Sequence, residues 1–129
     1  MNRYLVDAWA WIEYFKGSRQ GIEVKELLDK ENTEVFTCTI TLAEVISKVA
    51  KEKRNVEEAH DLLSSNSQIV SINEELSFEA GLIHFEMRKA LKDFCLADAY
   101  VLATAKKLQS KILTGDEHFR NVKEAVLIK

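Results

Sequence analysis

Residues 4–15 read YLVDAWAWIEYF, a mostly apolar stretch that contains an ionisable carboxylate near its start. Tyr4–Val6 is typical of a short buried strand, and Asp7 follows it directly. The next residues place Trp11 and Phe15 on one apolar helical face, which predicts a helix packed against the core. The stretch therefore predicts a strand and a helix joined at an aspartate, and the role of that aspartate depends on acids elsewhere in the chain.

The rest of the chain continues this alternation of strands and helices. Short apolar or β-branched runs with polar boundaries predict five strands: Arg3–Val6, Glu34–Thr37, Gln68–Ile72, Lys111–Thr114 and Ala125–Ile128. Five apolar stripes at helical spacing lie between these runs, and they start at Ile22, Leu42, Ala59, Leu76 and Leu96. The alternation predicts an α/β fold of three layers, in which helices cover both faces of a central, mainly parallel sheet of four to five strands.

Length and composition favour a folded globular chain. The 129 residues are 47% hydrophobic and 30% charged, which is unlike a disordered segment and predicts a single domain over residues 1–129. No apolar stretch reaches the length of a membrane span, and the N-terminus lacks the pattern of a secretory signal. Cys38 and Cys95 have no partner at metal-ligand spacing, so both are predicted to be reduced and buried in a cytoplasmic protein.

Four acids fall where the predicted fold brings side chains to one edge of the sheet. Asp7 follows the first strand and Asp116 follows the fourth, while Asp98 lies near the start of the helix that leads into the fourth strand. Glu44 is predicted in the first turn of the helix after the second strand. Ligands of open α/β sheets bind at this carboxyl edge. Because carboxylates held together repel one another, we predict that one or two Mg²⁺ or Mn²⁺ ions bind among them.

Each acid also has a purely structural explanation. Asp7 and Asp98 are suited to cap helices or to lie in a first turn, where a negative charge favours the helix dipole. Glu44 stands three residues after Thr41, the spacing of a capping box, and Asp116 is suited to a turn. Capping explains the acids one at a time, but it does not require all of them to lie at one edge.

The segments around these acids resemble the PIN domain, and in particular the toxin of VapBC-type toxin–antitoxin pairs. The matching segments are YLVD (4–7), TITLAEV (39–45), LADAYVLATA (96–105) and ILTGDEHF (112–119). The resemblance implies a metal-dependent endoribonuclease that cuts single-stranded RNA, with an acidic catalytic and metal-binding pocket made of Asp7, Glu44, Asp98 and Asp116. It also implies a homodimer that a small antitoxin protein holds inactive.

One departure from the family pattern lies next to the first acid. The family often has Ser or Thr after that acid, and this chain has Ala8. Any hydroxyl assistance must come from another residue, for which Thr114 is the candidate accessory residue. The adjacent Gly115 lacks a side chain, which is expected to let the backbone approach a ligand closely.

Basic residues near the acids are candidates for contact with RNA phosphate. Lys48, Lys51, Lys53 and Arg54 follow Glu44, and Arg120 follows Asp116; the alternative for each is a solvated surface position. The formal net charge of −3 argues against binding of nucleic acid by bulk charge, although it is compatible with a nuclease that uses a metal and a local basic patch. Trp9 lies off the helical face of Trp11 and is expected at a partner interface.

The three histidines, His60, His84 and His118, show no ligand spacing, so the sequence predicts no metal role for them. Two other classes of protein compete with the nuclease. A phospho-accepting regulator would need paired acids after the first strand and an aspartate after the third, where this chain has Asp7 alone and Ser71–Asn73. A non-catalytic interaction module with the same fold would have no need of the complete acid set.

Overall fold

The computed structural model describes residues 1–129 and contains one sheet of five strands. The strands are β1 Asn2–Val6, β2 Thr33–Cys38, β3 Gln68–Val70, β4 Lys111–Thr114 and β5 Ala125–Leu127. They are ordered β3-β2-β1-β4-β5 across the sheet, and every neighbouring pair is parallel. The predicted parallel α/β sheet is therefore confirmed, with β3 and β5 ending slightly earlier than predicted.

Six α-helices and one 3₁₀ turn connect the strands. They are α1 Ala8–Lys16, α2 Arg19–Leu28, α3 Thr39–Lys51, α4 Val56–Asn66, α5 Glu74–Met87, α6 Leu96–Leu108 and the 3₁₀ turn Glu117–Phe119. Asn55 and Asn73 begin α4 and α5 by accepting backbone N–H groups, each at 2.9 Å, as asparagine caps do. None of the helices combines the length and apolar character that crossing a membrane requires.

The sheet separates two hydrophobic cores. Successive residues of a strand point to opposite faces, so Leu5 and Val6 enter different cores. Leu5 packs in the core formed with α5 and α6, which includes Leu102. Val6 packs in the core formed with α1 to α4, which includes Trp11 and Val45. Helices therefore cover both faces, as the three-layer prediction required.

Trp11 is fully buried, which confirms its predicted place in the core. Its Nε1–H donates a hydrogen bond of 3.0 Å to the Thr37 hydroxyl oxygen, so the one polar atom of the indole is satisfied. The prediction for the cysteines was half right. Both are free and Cys38 is buried, but Cys95 is exposed because it is the N-cap of α6, where the chain leaves a surface loop.

Candidate metal centre

The predicted acids gather at the carboxyl edge of the sheet. Asp7 is held at the end of β1, where its backbone N–H donates a hydrogen bond of 3.1 Å to the Leu113 carbonyl oxygen of β4. Asp116 follows β4, and Asp98 lies in the first turn of α6, whose N-terminus meets the same edge. The negative charges of Asp98 and Asp116 raise the pKa of both Asp7 and Glu44, so each of these two acids lies within electrostatic reach of Asp98 and Asp116.

Asp7 is the most deeply buried of these acids, with 6% of its surface exposed. Burial raises its pKa from 3.8 to about 7, because removing a carboxylate from water disfavours its charged form. Two hydrogen bonds partly oppose this increase: one from the Thr114 hydroxyl and one from the Ala10 backbone N–H at 2.9 Å. The second bond makes Asp7 the N-cap of α1, so its structural explanation is also correct.

Thr114 connects two of the acids. Its hydroxyl donates to Asp7 Oδ2 and accepts the Asp116 backbone N–H at 2.9 Å. The side chain is fully buried at the end of β4, so the hydroxyl is directed toward the carboxylates and away from solvent. This geometry suits Thr114 to orient Asp7 and the start of the Asp116 turn.

A tight group of three possible ligands stands beside Asp7. One ligand atom from each of Asp98, Asp116 and His118 lies within 4.8 Å of the other two. The imidazole Nδ1 of His118 is 3.1 Å from Asp98 Oδ2 and 3.5 Å from Asp116 Oδ1. Asp98 and Asp116 also accept backbone N–H groups, from Cys95 at 3.2 Å and from His118 at 2.8 Å, which fixes both carboxylates.

His118 is the residue of this group that sequence reasoning missed. His118 stands at ligand spacing from no other histidine and from no cysteine, and its neighbours in the site are carboxylates. Asp116 is two residues away across the 3₁₀ turn, and Asp98 is 20 residues away on α6. The Asp-x-His pattern directly after a predicted strand was the available signal, because a short turn there points both side chains at the same edge.

Glu44 is not a member of this group of three ligands. It is in the second turn of α3, not in the predicted first turn, because the helix already begins at Thr39. The capping-box alternative is wrong, since Cys38 is the N-cap and the buried Thr41 hydroxyl has no hydrogen-bond partner. Burial raises the pKa of Glu44, and the charges of Asp98 and Asp116 raise it further.

Gly115 lies against the indole of Trp9. A Cβ atom added at Gly115 would lie 2.5 Å from Cη2 of the Trp9 indole, closer than real atoms approach. The absent side chain therefore makes room for Trp9. Trp9 also lines a groove of about 420 Å³ together with Glu44 and Lys48.

The candidate RNA-binding residues divide into two sets. Lys48 and Lys51 lie on α3 in a second groove beside Glu44, and that groove has a volume of about 460 Å³. Arg54 instead places its guanidinium 4.9 Å from the centre of the Phe15 ring. Arg120 is exposed and 3.7 Å from a carboxylate oxygen of its neighbour Glu117. The two lysines lie beside Glu44, and Arg54 packs on an aromatic ring.

The donor set of this centre fits a divalent cation. Carboxylate oxygens and an imidazole nitrogen are ligands of Mg²⁺, Mn²⁺ and related ions, and the charges of Asp98 and Asp116 help to raise the pKa of Asp7 and of Glu44 in the absence of a positive charge. A bound cation would offset the repulsion from Asp98 and Asp116 that disfavours the ionised forms of Asp7 and Glu44.

Comparisons with known proteins agree with this architecture. A family model described as PIN domain matches residues 4–125. A toxin-antitoxin complex from Klebsiella pneumoniae is similar with a TM-score of 0.76 and 22% identity, covering 98% of this chain and 98% of that chain. VapBC2 from Rickettsia felis, bound to a promoter DNA fragment, is similar with a TM-score of 0.76 and 19% identity. That match covers 97% of this chain and 96% of the other.

A third solved structure is VapC20 of Mycobacterium tuberculosis, described as a Sarcin-Ricin loop cleaving toxin. Its TM-score is 0.67 at 17% identity, and the match covers 84% of this chain and 85% of that chain. At such identities the likeness shows a shared fold. A search of curated proteins finds no match.

Proposed function

Because this chain belongs to the PIN-domain family, we propose that it is a metal-dependent endoribonuclease that cuts single-stranded RNA with Mg²⁺ or Mn²⁺. The observation that carries the proposal is the meeting of Asp98, Asp116 and His118 ligand atoms within 4.8 Å, beside the buried carboxylate of Asp7. The negative charges at this edge are not balanced by basic residues of the fold, and a non-catalytic interaction module would gain nothing from them.

We assign the ion to Asp98 and Asp116, with His118 as a further ligand and with Asp7 and Glu44 completing its surroundings. A divalent cation in such a site lowers the pKa of water and neutralises charge that develops on the attacked phosphate. Thr114 keeps Asp7 oriented toward the site through its hydroxyl. A bound cation would favour the ionised form of Asp7, whose pKa burial raises to about 7, and Asp7 would then contribute a full negative charge to the site.

Glu44 is placed to act on the open side of the centre. It borders both grooves along α3, and its pKa is raised by burial and by the charges of Asp98 and Asp116. A carboxylate with a raised pKa accepts a proton from attacking water more readily than an ordinary glutamate does. We assign Glu44 to positioning that water and receiving its proton.

The grooves beside Glu44 supply a path for the RNA strand. Lys48 borders both grooves, Lys16 lies in the one with Trp9, and Lys51 lies in the other. Lys16 and Lys48 both approach the Glu52 carboxylate, at 3.7 and 3.6 Å, as exposed ion pairs of small net stabilisation. A phosphate group can therefore replace Glu52 as their partner at little cost.

We further propose that the chain is the toxin of a type II toxin–antitoxin pair, acts in the cytoplasm and forms a homodimer. Two of its structural neighbours are toxin–antitoxin complexes, which supports a small antitoxin as its partner. An apolar groove of about 210 Å³ lies between α3 and α4, bordered by Leu42, Ile46 and Val56. An amphipathic antitoxin helix fits such a groove through its apolar face.

The test is cleavage of total cellular RNA by the purified chain in Mn²⁺ or Mg²⁺, with the new RNA ends sequenced. We expect EDTA to stop cleavage and Asp98→Asn to slow it by about 100-fold or more, because a ligand and its charge are lost. Asp93→Asn is the matched control, since Asp93 is an exposed acid in the preceding loop. Wild-type cleavage by Asp98→Asn, or no cleavage by the wild type in either metal, would overturn the proposal.

A further inference from the structure

The outer face of α5 carries an unusual amount of exposed apolar surface. Phe78, Leu82 and Phe85 are 68%, 53% and 64% exposed. Their spacing of four and three residues puts them on one side of the helix, together with Gly81. Phe78, Gly81, Leu82 and Phe85 are called the outer stripe below. The opposite side of α5, which includes Leu76 and Ala80, is buried in the core.

Gly81 in the middle of the outer stripe has no explanation within the chain. A Cβ atom added there would meet nothing within 4 Å, so no neighbouring atom requires a glycine. Glycine is also a less favourable residue than alanine in a helix interior. A glycine on an exposed helical face does, however, allow the backbone of another helix to approach closely. The outer stripe therefore has the shape of a helix-packing surface.

The residues from Glu74 to Lys89 form pairs of matching chemistry at equal distances on either side of the point between Gly81 and Leu82. Phe78 and Phe85 lie at equal distances from that point. The same midpoint relates two further pairs of residues, both of opposite charge: Glu74 with Lys89, and Glu75 with Arg88. If two copies of α5 packed antiparallel, Phe78 of one copy would lie against Phe85 of the other. Each acid would then lie against a base of the other copy.

The four charged residues are free to change partners. Glu75 is 3.2 Å from Lys107, and Lys89 is 3.1 Å from Glu86 while its ammonium lies 4.8 Å from the Phe85 ring centre. These are exposed pairs, which contribute little stability to the monomer. An isologous interface needs residue pairs related by a twofold axis. The segment from Glu74 to Lys89, which is α5 and the two residues that follow it, has that property in both its apolar and its charged positions.

From this pattern we propose that the outer stripe of α5 is the interface with a second copy of this chain. The two α5 helices pack antiparallel, and the twofold axis passes between Gly81 and Leu82. This inference rests on the homodimer of the proposed function and names its contact surface. It is separable from the nuclease, because α5 contributes no residue to the candidate metal centre.

The first test measures molar mass by light scattering during size-exclusion chromatography, over a range of concentrations. We expect the wild type to be dimeric and Leu82→Glu to weaken dimerisation by about 100-fold or more, because two carboxylates would be buried near the axis. Ile22→Glu is the matched control: Ile22 is 54% exposed on α2, and its replacement should leave the dimer intact. Circular dichroism verifies the fold of both variants.

A charge-exchange series tests the antiparallel register. Glu74→Lys and Lys89→Glu should each weaken the dimer by about tenfold, since each places like charges together at both ends. The double variant should recover most of the wild-type affinity, because it exchanges the two charges that face each other. This series also decides the matter if Leu82→Glu fails to fold.

Other outcomes overturn the proposal. A monomeric wild type, a dimer unaffected by Leu82→Glu, or a double charge variant as weak as the single variants would each do so. If Leu82→Glu lowers the affinity for an antitoxin and leaves the dimer unchanged, the outer stripe binds the antitoxin instead. RNA cleavage by the same variants is assayed separately, so that loss of the dimer and loss of the nuclease are told apart.

Discussion

The imidazole Nδ1 of His118 lies 3.1 Å from Asp98 Oδ2, although 20 residues and the strand β4 separate the two residues in the chain. The contact adds a nitrogen ligand to a site that is otherwise made of carboxylate oxygens. Imidazole binds Mn²⁺ and later transition metals more favourably than Mg²⁺, whose preferred ligands are oxygens. The choice between the two ions should therefore depend on this side chain.

We predict that His118→Ala weakens binding of Mn²⁺ by about tenfold and changes binding of Mg²⁺ much less, because only the softer ion gains from the lost nitrogen. Isothermal titration calorimetry of the RNA-free protein measures both affinities without relying on activity. His60→Ala is the control, since His60 is exposed on α4. An equal loss for both ions would mean that His118 only orients Asp98 by hydrogen bonding.

Asp7 should make the stability of the metal-free protein depend on pH. Its pKa is raised from 3.8 to about 7 in the folded chain. Between these two values the unfolded chain loses the proton and the folded chain keeps it, so the free energy of unfolding falls as the pH rises through this interval. Above about pH 7 the free energy of unfolding has lost the full contribution of Asp7, because the buried carboxylate must then be ionised. The difference between the two pKa values corresponds to at most about 4 kcal/mol of unfolding free energy.

We predict that Asp7→Asn is more stable than the wild type at pH 8 in EDTA, and that the difference shrinks toward pH 4. The amide stays neutral at every pH, and it retains an oxygen that can accept the Ala10 N–H. Urea unfolding at several pH values measures the effect, with Asp61→Asn on the exposed face of α4 as control. Saturating Mn²⁺ should reverse the order, since the cation favours ionised Asp7; equal stability of the two proteins at pH 8 would contradict this account.

The features that the sequence predicted well depend on the backbone. Asp7 and Asp116 were assigned to one edge because each follows a strand, and the ends of parallel strands necessarily lie together. Glu44 was assigned to the correct helix but to the wrong turn, because Cys38 caps α3 without a side-chain hydrogen bond and so leaves no sequence signal.

The features that were missed depend on side chains from separate loops. The approach of His118 to Asp98 requires the 3₁₀ turn and the start of α6 to meet at a particular distance, which no local pattern specifies. The exposure of Cys95 follows from its place at the N-terminus of α6, where an apolar sequence context was a poor guide. Spacing predicts which edge a residue reaches, whereas packing decides what it contacts there.

The contact between Trp9 and Gly115 provides a last prediction about the support of the metal centre. Gly115 stands between Thr114 and Asp116, and a Cβ added there would lie 2.5 Å from the indole of Trp9. Gly115→Ala must therefore displace the ring or the turn, and overpacking of this kind typically costs about 1 to 3 kcal/mol. We expect a lower melting temperature and weaker Mn²⁺ binding, because Asp116 moves with the turn.

A double-mutant cycle identifies the cause. Trp9→Ala removes the ring, so Gly115→Ala made in that background should cost less than about 1 kcal/mol and should leave Mn²⁺ affinity close to that of Trp9→Ala alone. If Gly115→Ala costs the same with and without Trp9, the strain lies in the backbone of the turn, and Trp9 has no part in holding Asp116.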